Sequence, residues 1–266
     1  TLTTSYSYDS TGRLQTLTYP SGRTVTLGYD ANGQIKSVVT KAPAEAEQTV
    51  ASNATYFPFG GLAGFTAGNG LGYQRSFGQD GKVEGYRVGS TQWELGYDTR
   101  GRIQTIGIQG NATSTTQYGH DDAGRITSAV TPNATYGYTY DDAGNRQTAT
   151  AGGAVTNYAY PATSNRLAAL SGSTIVHDPN GSMTLKNALT LSYDTSGRVS
   201  GTSQGSVSME AIYEGNANRV TKETASGTRI FIYGPQGELI AEHAGDGKVL
   251  GEFIYLGGAV VGAVAP

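Results

Sequence analysis

Hydrophobic and polar positions alternate along short stretches of this chain, and many of these stretches end at an aspartate. Tyr6 and Tyr8 share one face of such a stretch, while the serines beside them share the other, which is the period of two that predicts a β-strand. Asp9 follows, and Gly12 comes three residues later. Aspartate can bond the backbone two residues on, and glycine supplies the positive φ that closes a turn. The pattern therefore predicts a β-hairpin with a four-residue loop built around a type I turn.

The unit Tyr-Asp-x-x-Gly recurs along the chain. The clear copies give the predicted structural repeat positions, which are Tyr8, Asp9 and Gly12; Tyr29, Asp30 and Gly33; Tyr97, Asp98 and Gly101; Tyr140, Asp141 and Gly144; and Tyr193, Asp194 and Gly197. Weaker copies begin at Phe77, His120, Tyr160, His177, Tyr213, Tyr233 and Tyr255. From residue 77 onward the leading positions are 20, 23, 20, 20, 17, 16, 20, 20 and 22 residues apart. A period near 20 leaves two strands of about six residues and two turns of about four in each repeat.

These repeats predict an all-β fold of consecutive antiparallel β-hairpins that form a long curved or spiralling sheet. We expect residues 1–266 to form a single domain. The stretch from about 41 to 76 departs from the period, because 48 residues separate Tyr29 from Phe77 where two repeats would occupy about 40. We expect this irregular insertion to contain a loop or a short helical turn over residues 41–48.

The composition narrows the classes of function. The chain has no cysteine, which excludes disulfides and Cys-ligated metal. Its net charge is −3, so it has no basic field to attract nucleic acid. No apolar run reaches the roughly 20 residues of a membrane helix, and we expect no membrane insertion by this segment. The 18 tyrosines are expected to supply part of the packing area that aliphatic residues usually provide, and their hydroxyls can stay in water.

The candidate catalytic and metal-binding groups fit the repeat better than they fit a site. His120 and His177 stand where other repeats have tyrosine, and Asp178 with Pro179 belongs to a repeat turn. Asp121 and Asp141, each followed by a second aspartate, lack the alternating ligands of a calcium loop. The sequence carries no nucleophile elbow, phosphate loop or zinc-protease motif. We therefore predict no catalytic residues, no cofactor and no bound metal.

One aromatic stripe leaves a second interpretation open. Trp93, Leu95 and Tyr97 alternate along one predicted strand, so their side chains share a face. Such a face is either part of a core or a platform on which sugars stack. The second possibility points to a carbohydrate-binding adhesin.

The repeat Tyr-Asp-x-x-Gly-Arg-Leu resembles the YD repeat of bacterial Rhs proteins, of the B and C subunits of Tc toxins and of teneurins. The resemblance covers essentially the whole chain. Three further segments are similar to bacterial Rhs sequences: Phe57-Pro58-Phe59-Gly60 with Gly68-Asn69-Gly70-Leu71; Ser164-Asn165-Arg166-Leu167; and residues 253–261.

The resemblance implies that the hairpins form part of a hollow β-shell that encloses a C-terminal toxin domain of a secreted bacterial protein. In that family, release depends on an aspartate-based self-cleavage motif in a core domain, which we expect beyond residue 266 together with the toxin. The implied partners are the rest of the same shell or a neighbouring copy that pairs through exposed strand edges. The implied location is secreted or on the cell surface. The alternative function is an adhesion or carbohydrate-binding wall protein built from the same repeats.

Overall fold

A computed structural model describes residues 1–58 and 61–265 of the chain. Almost all regular structure in this part is β-strand, together with a three-residue 3-10 helix, Ala112–Ser114. The strands of the first half are β1 (Ser5–Tyr8), β2 (Leu14–Thr18), β3 (Thr24–Tyr29), β4 (Ile35–Lys41), β5 (Gln48–Tyr56), β6 (Leu62–Ala67), β7 (Gly72–Phe77), β8 (Val83–Val88), β9 (Thr91–Tyr97), β10 (Ile103–Ile108), β11 (Thr116–His120), β12 (Ile126–Val130) and β13 (Thr135–Tyr140). Those of the second half are β14 (Arg146–Ala151), β15 (Ala154–Ala159), β16 (Ala169–Leu170), β17 (Ser173–His177), β18 (Met183–Lys186), β19 (Leu189–Tyr193), β20 (Val199–Gln204), β21 (Val207–Tyr213), β22 (Arg219–Thr224), β23 (Gly227–Tyr233), β24 (Leu239–Ala244), β25 (Val249–Leu256) and β26 (Ala259–Val264).

Successive strands pair in antiparallel fashion. This pairing runs without interruption from β1 to β7, from β9 to β21 and from β22 to β26. The predicted all-β fold of consecutive antiparallel hairpins is confirmed. No helix in the described part of the chain has the length and apolar character needed to cross a bilayer.

A β-bulge recurs next to the leading tyrosine of the repeats. Ser7 pairs with Thr16, but Tyr8 pairs with Leu14, so the return strand carries one extra residue, Gln15. The same register shift occurs next to Tyr29, His120, Tyr140, His177, Tyr193, Tyr233 and Tyr255. An extra residue of this kind bends the strand and increases its twist.

The chain divides into two compact units. Unit 1 comprises Thr1–Phe77, Tyr86–Ser90 and Ala211–Pro266, and unit 2 comprises Gly78–Gly85 and Thr91–Glu210. Unit 1 holds a hydrophobic core that joins the first hairpins to the last ones. Its buried members are Leu17, Tyr19, Val25, Val38, Ala51, Ala54, Leu62, Ile240, Ala241, Ile254 and Leu256. The core is therefore aliphatic apart from Tyr19, which is not a leading tyrosine of a repeat.

A buried polar cluster also joins the two ends of unit 1. The Nε of Arg23 donates to Glu252 Oε2 at 2.7 Å, and the Ser21 hydroxyl donates to the other carboxylate oxygen. The Tyr19 hydroxyl donates to the carbonyl oxygen of Phe253 at 2.7 Å. The Glu252 side chain is 2% exposed and that of Arg23 is 13% exposed, so this ion pair is largely removed from water.

Unit 2 buries less of its surface. Many of its strand side chains are half-buried, and Ile175 is its one buried large hydrophobic residue in the part that the structure describes. The cross-strand pairs put tyrosines and alanines, together with Thr156, on one face of β11–β15. The other face carries mainly serines, threonines and glycines, together with Val130 and Val155.

The stretch 41–76, expected to be irregular, contains three strands that continue the hairpin pairing. Residues 42–47 form a turn without a helix, in which Ala44 has a φ of 62°. A second turn follows Ala67, where Gly70 donates its backbone N–H to the Ala67 carbonyl at 2.8 Å. Of the motif Phe57-Pro58-Phe59-Gly60, Phe59 and Gly60 lie outside the described residues. The extra length therefore lies mainly in the 42–47 turn and in the nine-residue strand β5.

Candidate functional site: the contacts between repeats

Most repeat loops are closed by the same backbone hydrogen bonds. In the first, Gly12 donates its N–H to the Asp9 carbonyl at 3.0 Å, and Asp9 donates to the Arg13 carbonyl at 2.9 Å. The equivalent pair of bonds is present in the loops that begin at Asp30, Asp98, Asp121, Asp141, Asp178 and Asp194. The predicted glycines Gly12, Gly33, Gly101, Gly144 and Gly197 have φ values of 77–89°, which glycine adopts without steric cost.

The aspartate side chain braces the same loop. Oδ1 of Asp9 accepts from the backbone N–H groups of Thr11 at 2.9 Å and Arg13 at 3.0 Å, and Oδ2 accepts from Arg13 Nε at 2.7 Å. Asp98 and Asp194 make the corresponding three bonds. Asp30 makes the two backbone bonds, while Asp141 accepts from the backbone and side chain of Asn145. Each carboxylate is thus used inside its own loop.

Two of the repeat arginines reach from their own loop to the next repeat. Nε of Arg102 binds the Asp98 carboxylate, and its Nη1 donates to the backbone carbonyl of Asp121 at 2.8 Å. Arg125 likewise binds the Asp121 carboxylate through Nε, and its Nη1 donates to the backbone carbonyl of Asp141 at 3.0 Å. The guanidinium of Arg125 also lies 4.6 Å from the ring centre of the next tyrosine, Tyr140, and Arg13 stands 4.4 Å from the Tyr29 ring. These cation–π contacts and hydrogen bonds join neighbouring repeats.

The tyrosine hydroxyls supply a second link between repeats. Most of the leading tyrosines donate to a backbone carbonyl of the preceding repeat: Tyr29 to Leu14, Tyr56 to Ile35, Tyr97 to Val83, Tyr140 to Ile126, Tyr160 to Arg146, Tyr193 to Met183, Tyr233 to Arg219 and Tyr255 to Leu239, at 2.6–3.2 Å. Several acceptors are the residues that pair across the hairpin with the preceding leading residue, as Leu14 pairs with Tyr8 and Leu239 with Tyr233. Burial raises the pKa of Tyr29, Tyr56, Tyr233 and Tyr255, which keeps the donor protonated.

The hydroxyls of Tyr140 and Tyr160 make these bonds in exposed surroundings, whereas those of Tyr29 and Tyr97 make them in half-buried ones. Tyr8 is 58% exposed. Sequence reasoning missed Tyr56, which lies in the stretch expected to be irregular and is followed by phenylalanine instead of aspartate. The signal that could have found it is its position at the end of an alternating run, directly before a Pro-containing turn.

The other candidate groups have structural surroundings. His120 and His177 occupy the leading position at the β-bulge, and Asp178 accepts from the Ser182 N–H at 2.9 Å, as the repeat aspartates do. The buried ring of His243 has Nδ1 3.0 Å from the Gly247 carbonyl. Within residues 1–58 and 61–265, no three His, Asp or Glu side chains are grouped so that they could hold a metal ion.

We expect Tyr97→Phe to lower the free energy of unfolding of unit 2 by about 1 kcal/mol, because the Val83 carbonyl loses its donor. The matched control is Tyr138→Phe, since the described residues offer no partner to the Tyr138 hydroxyl. The control should change stability by less than about 0.5 kcal/mol. Urea titrations followed by fluorescence of Trp93, the one tryptophan, measure both variants. Equal losses in the two variants would contradict the role of the hydroxyl.

We expect the folded state to lose stability as the pH falls below about 4. Backbone N–H donation by Arg13, Arg102 and Arg198 lowers the pKa of Asp9, Asp98 and Asp194, respectively. The side chains of Arg125 and Asn145 lower the pKa of Asp121 and Asp141. A depressed carboxyl pKa stabilises the fold above the unfolded value, and this stabilisation is lost as the pH falls through the folded value.

The measurement is the urea midpoint at a series of pH values between about 6 and 2.5. Asp98→Asn is the informative variant, because it keeps the side-chain shape and removes one titrating group. Its midpoint should be lower at neutral pH and should vary less with pH than that of the parent. A parent midpoint that is unchanged across this range would refute the assignment.

Two family profiles match the sequence of this chain. The family profile described as Teneurin YD-shell matches residues 79–249, and the profile described as RHS Repeat matches residues 1–24 and 8–43. Among curated proteins, none matches the sequence significantly.

Solved structures share the fold at low sequence identity. The Tc holotoxin pore of Photorhabdus luminescens superposes with a TM-score of 0.74 at 18% identity, over 98% of this chain and 18% of that chain. The TcdB2-TccC3 complex without its hypervariable C-terminal region gives a TM-score of 0.61 at 16% identity, over 99% of this chain and 18% of that chain. The present chain thus spans about a fifth of the length of these solved chains.

Proposed function

Because this chain belongs to the teneurin YD-shell family, we propose that it forms a segment of the wall of a β-shell that encloses a C-terminal toxin domain of a secreted bacterial protein. The family matches support a structural role for the chain as YD and RHS shell repeats, and the proposal starts from this role. Enclosure of a toxin is the further step, and it rests on similarity to Tc toxin shells that are much longer than this chain.

The observation that carries the proposal is the double link between neighbouring repeats. Arginine binds its own aspartate and the next repeat, and tyrosine binds the carbonyl of the preceding one. Such links stabilise a continuous wall, since each repeat is held by its neighbours. We propose that the repeat tyrosines, aspartates and glycines serve this purpose and that the segment has no catalytic activity.

Further parts of the proposal concern organisation and partners. We infer that both compact units belong to one repeat domain over residues 1–266, because hairpin repeats occur in each. The partners are the remainder of the same shell, with its core domain and enclosed toxin, or a neighbouring copy that pairs through exposed strand edges. The proposed location is the cell exterior or the cell surface.

The test uses the full product of the gene. Its reading frame beyond residue 266 should encode an aspartate-containing core motif and then an unrelated domain. In the purified full-length protein, that last domain should resist a protease that digests it readily when it is expressed alone. A wall anchor or membrane helix in place of the core motif would favour the adhesin. Rapid digestion of the last domain within an intact wall would refute enclosure.

A further inference from the structure

The strands β11–β15 of unit 2 carry aromatic residues on alternate strands of one face, which we call the tyrosine face. Tyr118 on β11 pairs with Ala129 on β12, and Ala129 in turn pairs with Tyr136 on β13. Tyr138 on β13 pairs with Ala149 on β14. Directly paired residues point to the same side of a sheet, so tyrosines stand on β11 and β13 with alanines between them.

The face is therefore corrugated. Alternate strands lie about 10 Å apart. Tyr118 and Tyr136 are therefore separated by a shallow groove, and an alanine on the strand between them forms its floor. On the far side, Ala149 pairs with Thr156, and Tyr158 follows two residues later on the same face of β15. All four tyrosines are half-buried, so part of each ring is accessible from solvent.

The hydroxyls of this face differ from those that link the repeats. Tyr140 donates to the Ile126 carbonyl, and Tyr160 donates to that of Arg146. By contrast, the described part of the chain offers no hydrogen-bond partner to the hydroxyls of Tyr118, Tyr136 and Tyr138. Three phenol groups that can donate and accept are therefore free on one surface.

The tyrosine face also carries one positively charged side chain. Arg146 is the one Asp, Glu, Lys or Arg residue in strands β11–β15. Its guanidinium lies 4.4 Å from the ring centre of Tyr158 and 5.8 Å from that of Tyr138, and Nη2 donates to the Tyr158 hydroxyl at 2.7 Å. Unlike Arg102 and Arg125, it has no carboxylate partner among the described residues. Its remaining N–H groups are available to an anion.

We propose that the tyrosine face binds an acidic oligosaccharide, with Arg146 taking the carboxylate of a uronic acid. Charge complementarity favours an anion, because the strands of this face carry one unpaired cation and no acid. The C–H groups of a pyranose face carry partial positive charge and stack on the negative face of a phenol ring. Sugar hydroxyls match free phenols, which donate and accept alike. The proposal is independent of toxin enclosure.

The test is titration calorimetry of the full chain with a hyaluronan hexasaccharide, in which glucuronic acid alternates with a neutral sugar. We expect saturable binding that Arg146→Gln weakens at least about tenfold, since a charge-assisted contact is lost. Tyr138→Leu should weaken binding by a similar factor. The matched control is Arg87→Gln, which removes an exposed arginine bonded to Gln74 on another strand and should leave affinity unchanged.

Two competing ligands make the result decisive. Cellohexaose, which is neutral, should bind more weakly than the acidic sugar and should not respond to Arg146→Gln. Hexaglutamate tests whether charge alone is recognised. Equal affinity for hexaglutamate, no binding of the acidic sugar, or an unchanged affinity in folded Arg146→Gln would each overturn the proposal. Circular dichroism establishes that the variants are folded.

Discussion

Glu252→Ala is expected to lower the free energy of unfolding of unit 1 by about 3–5 kcal/mol, because it leaves the largely buried guanidinium of Arg23 without its anion. The Ser21 hydroxyl loses its acceptor at the same time. Both partners come from the first hairpins, while Glu252 lies on β25. The substitution therefore acts on the contact between the two ends of unit 1.

Glu242→Ala is the matched control. Glu242 lies on the neighbouring strand β24 and pairs with Arg229, whose side chain is 59% exposed. Exposed pairs of this kind contribute about 0–1 kcal/mol. Urea unfolding followed by circular dichroism reports on both units, whereas fluorescence of Trp93 reports on unit 2. Equal losses for the two variants would mean that the Arg23 pair is effectively solvated.

A double variant separates the charge from the packing. Replacing Arg23 and Glu252 together with leucines removes both buried charges, and such replacements are often neutral or stabilising. We expect the double variant to recover most of the stability that Glu252→Ala loses. A double variant as unstable as the single one would show that the hydrogen bonds of this cluster matter more than the unpaired charge.

The hairpins could be predicted because their cause is local. Asp9 and Gly12 lie within one turn, and the bonds between them depend on residue type and spacing alone. The same holds for the alternation that marks the strands. The resemblance to YD and Rhs repeats, which rests on this unit, is confirmed by both family matches.

The contacts between repeats could not be predicted from the Tyr-Asp-x-x-Gly sequence of a single repeat. The hydroxyl of Tyr97 finds its acceptor, the Val83 carbonyl, 14 residues back along the chain. Which carbonyl it reaches depends on the β-bulges, because each bulge changes the register and the local twist. The extra residue is Gln15 in one repeat, Thr127 in another and Ile240 in a third, so no single residue type marks every bulge.

The residues that form the core of unit 1 could not be predicted from local sequence patterns either. Arg23 and Glu252 are 229 residues apart, and neither belongs to the repeated Tyr-Asp-x-x-Gly pattern. The high tyrosine content predicts that tyrosine supplies part of the packing, and Tyr6, Tyr56 and Tyr255 do pack against this core. Ten of the eleven buried core residues are aliphatic. Tyr19 is the exception, and it precedes a proline turn instead of a repeat aspartate.

Ile240 shows how strongly this long-range packing overrides the repeat. It is the extra residue of the bulge beside Tyr233, and it is 1% exposed. At the same bulge position other repeats have Gln15, Gln104 and Gln147, all of which are exposed. Substitution toward a residue that recurs in the other repeats often stabilises a protein. Here the expectation is the opposite, because the side chain packs in the core of unit 1.

Ile240→Ala should cost about 2–5 kcal/mol of unfolding free energy, since it removes three buried carbons and leaves a cavity. Ile240→Gln should cost at least as much, because it also buries an amide without a partner. The matched control is Ile212→Ala on β21, where the side chain is 63% exposed and the cost should be below about 0.5 kcal/mol. Urea unfolding followed by circular dichroism compares the three variants, and fluorescence of Trp93 identifies the part of the transition that belongs to unit 2. If Ile240→Gln is as stable as the parent, the bulge residue faces solvent as it does elsewhere, and the first and last hairpins do not share this core.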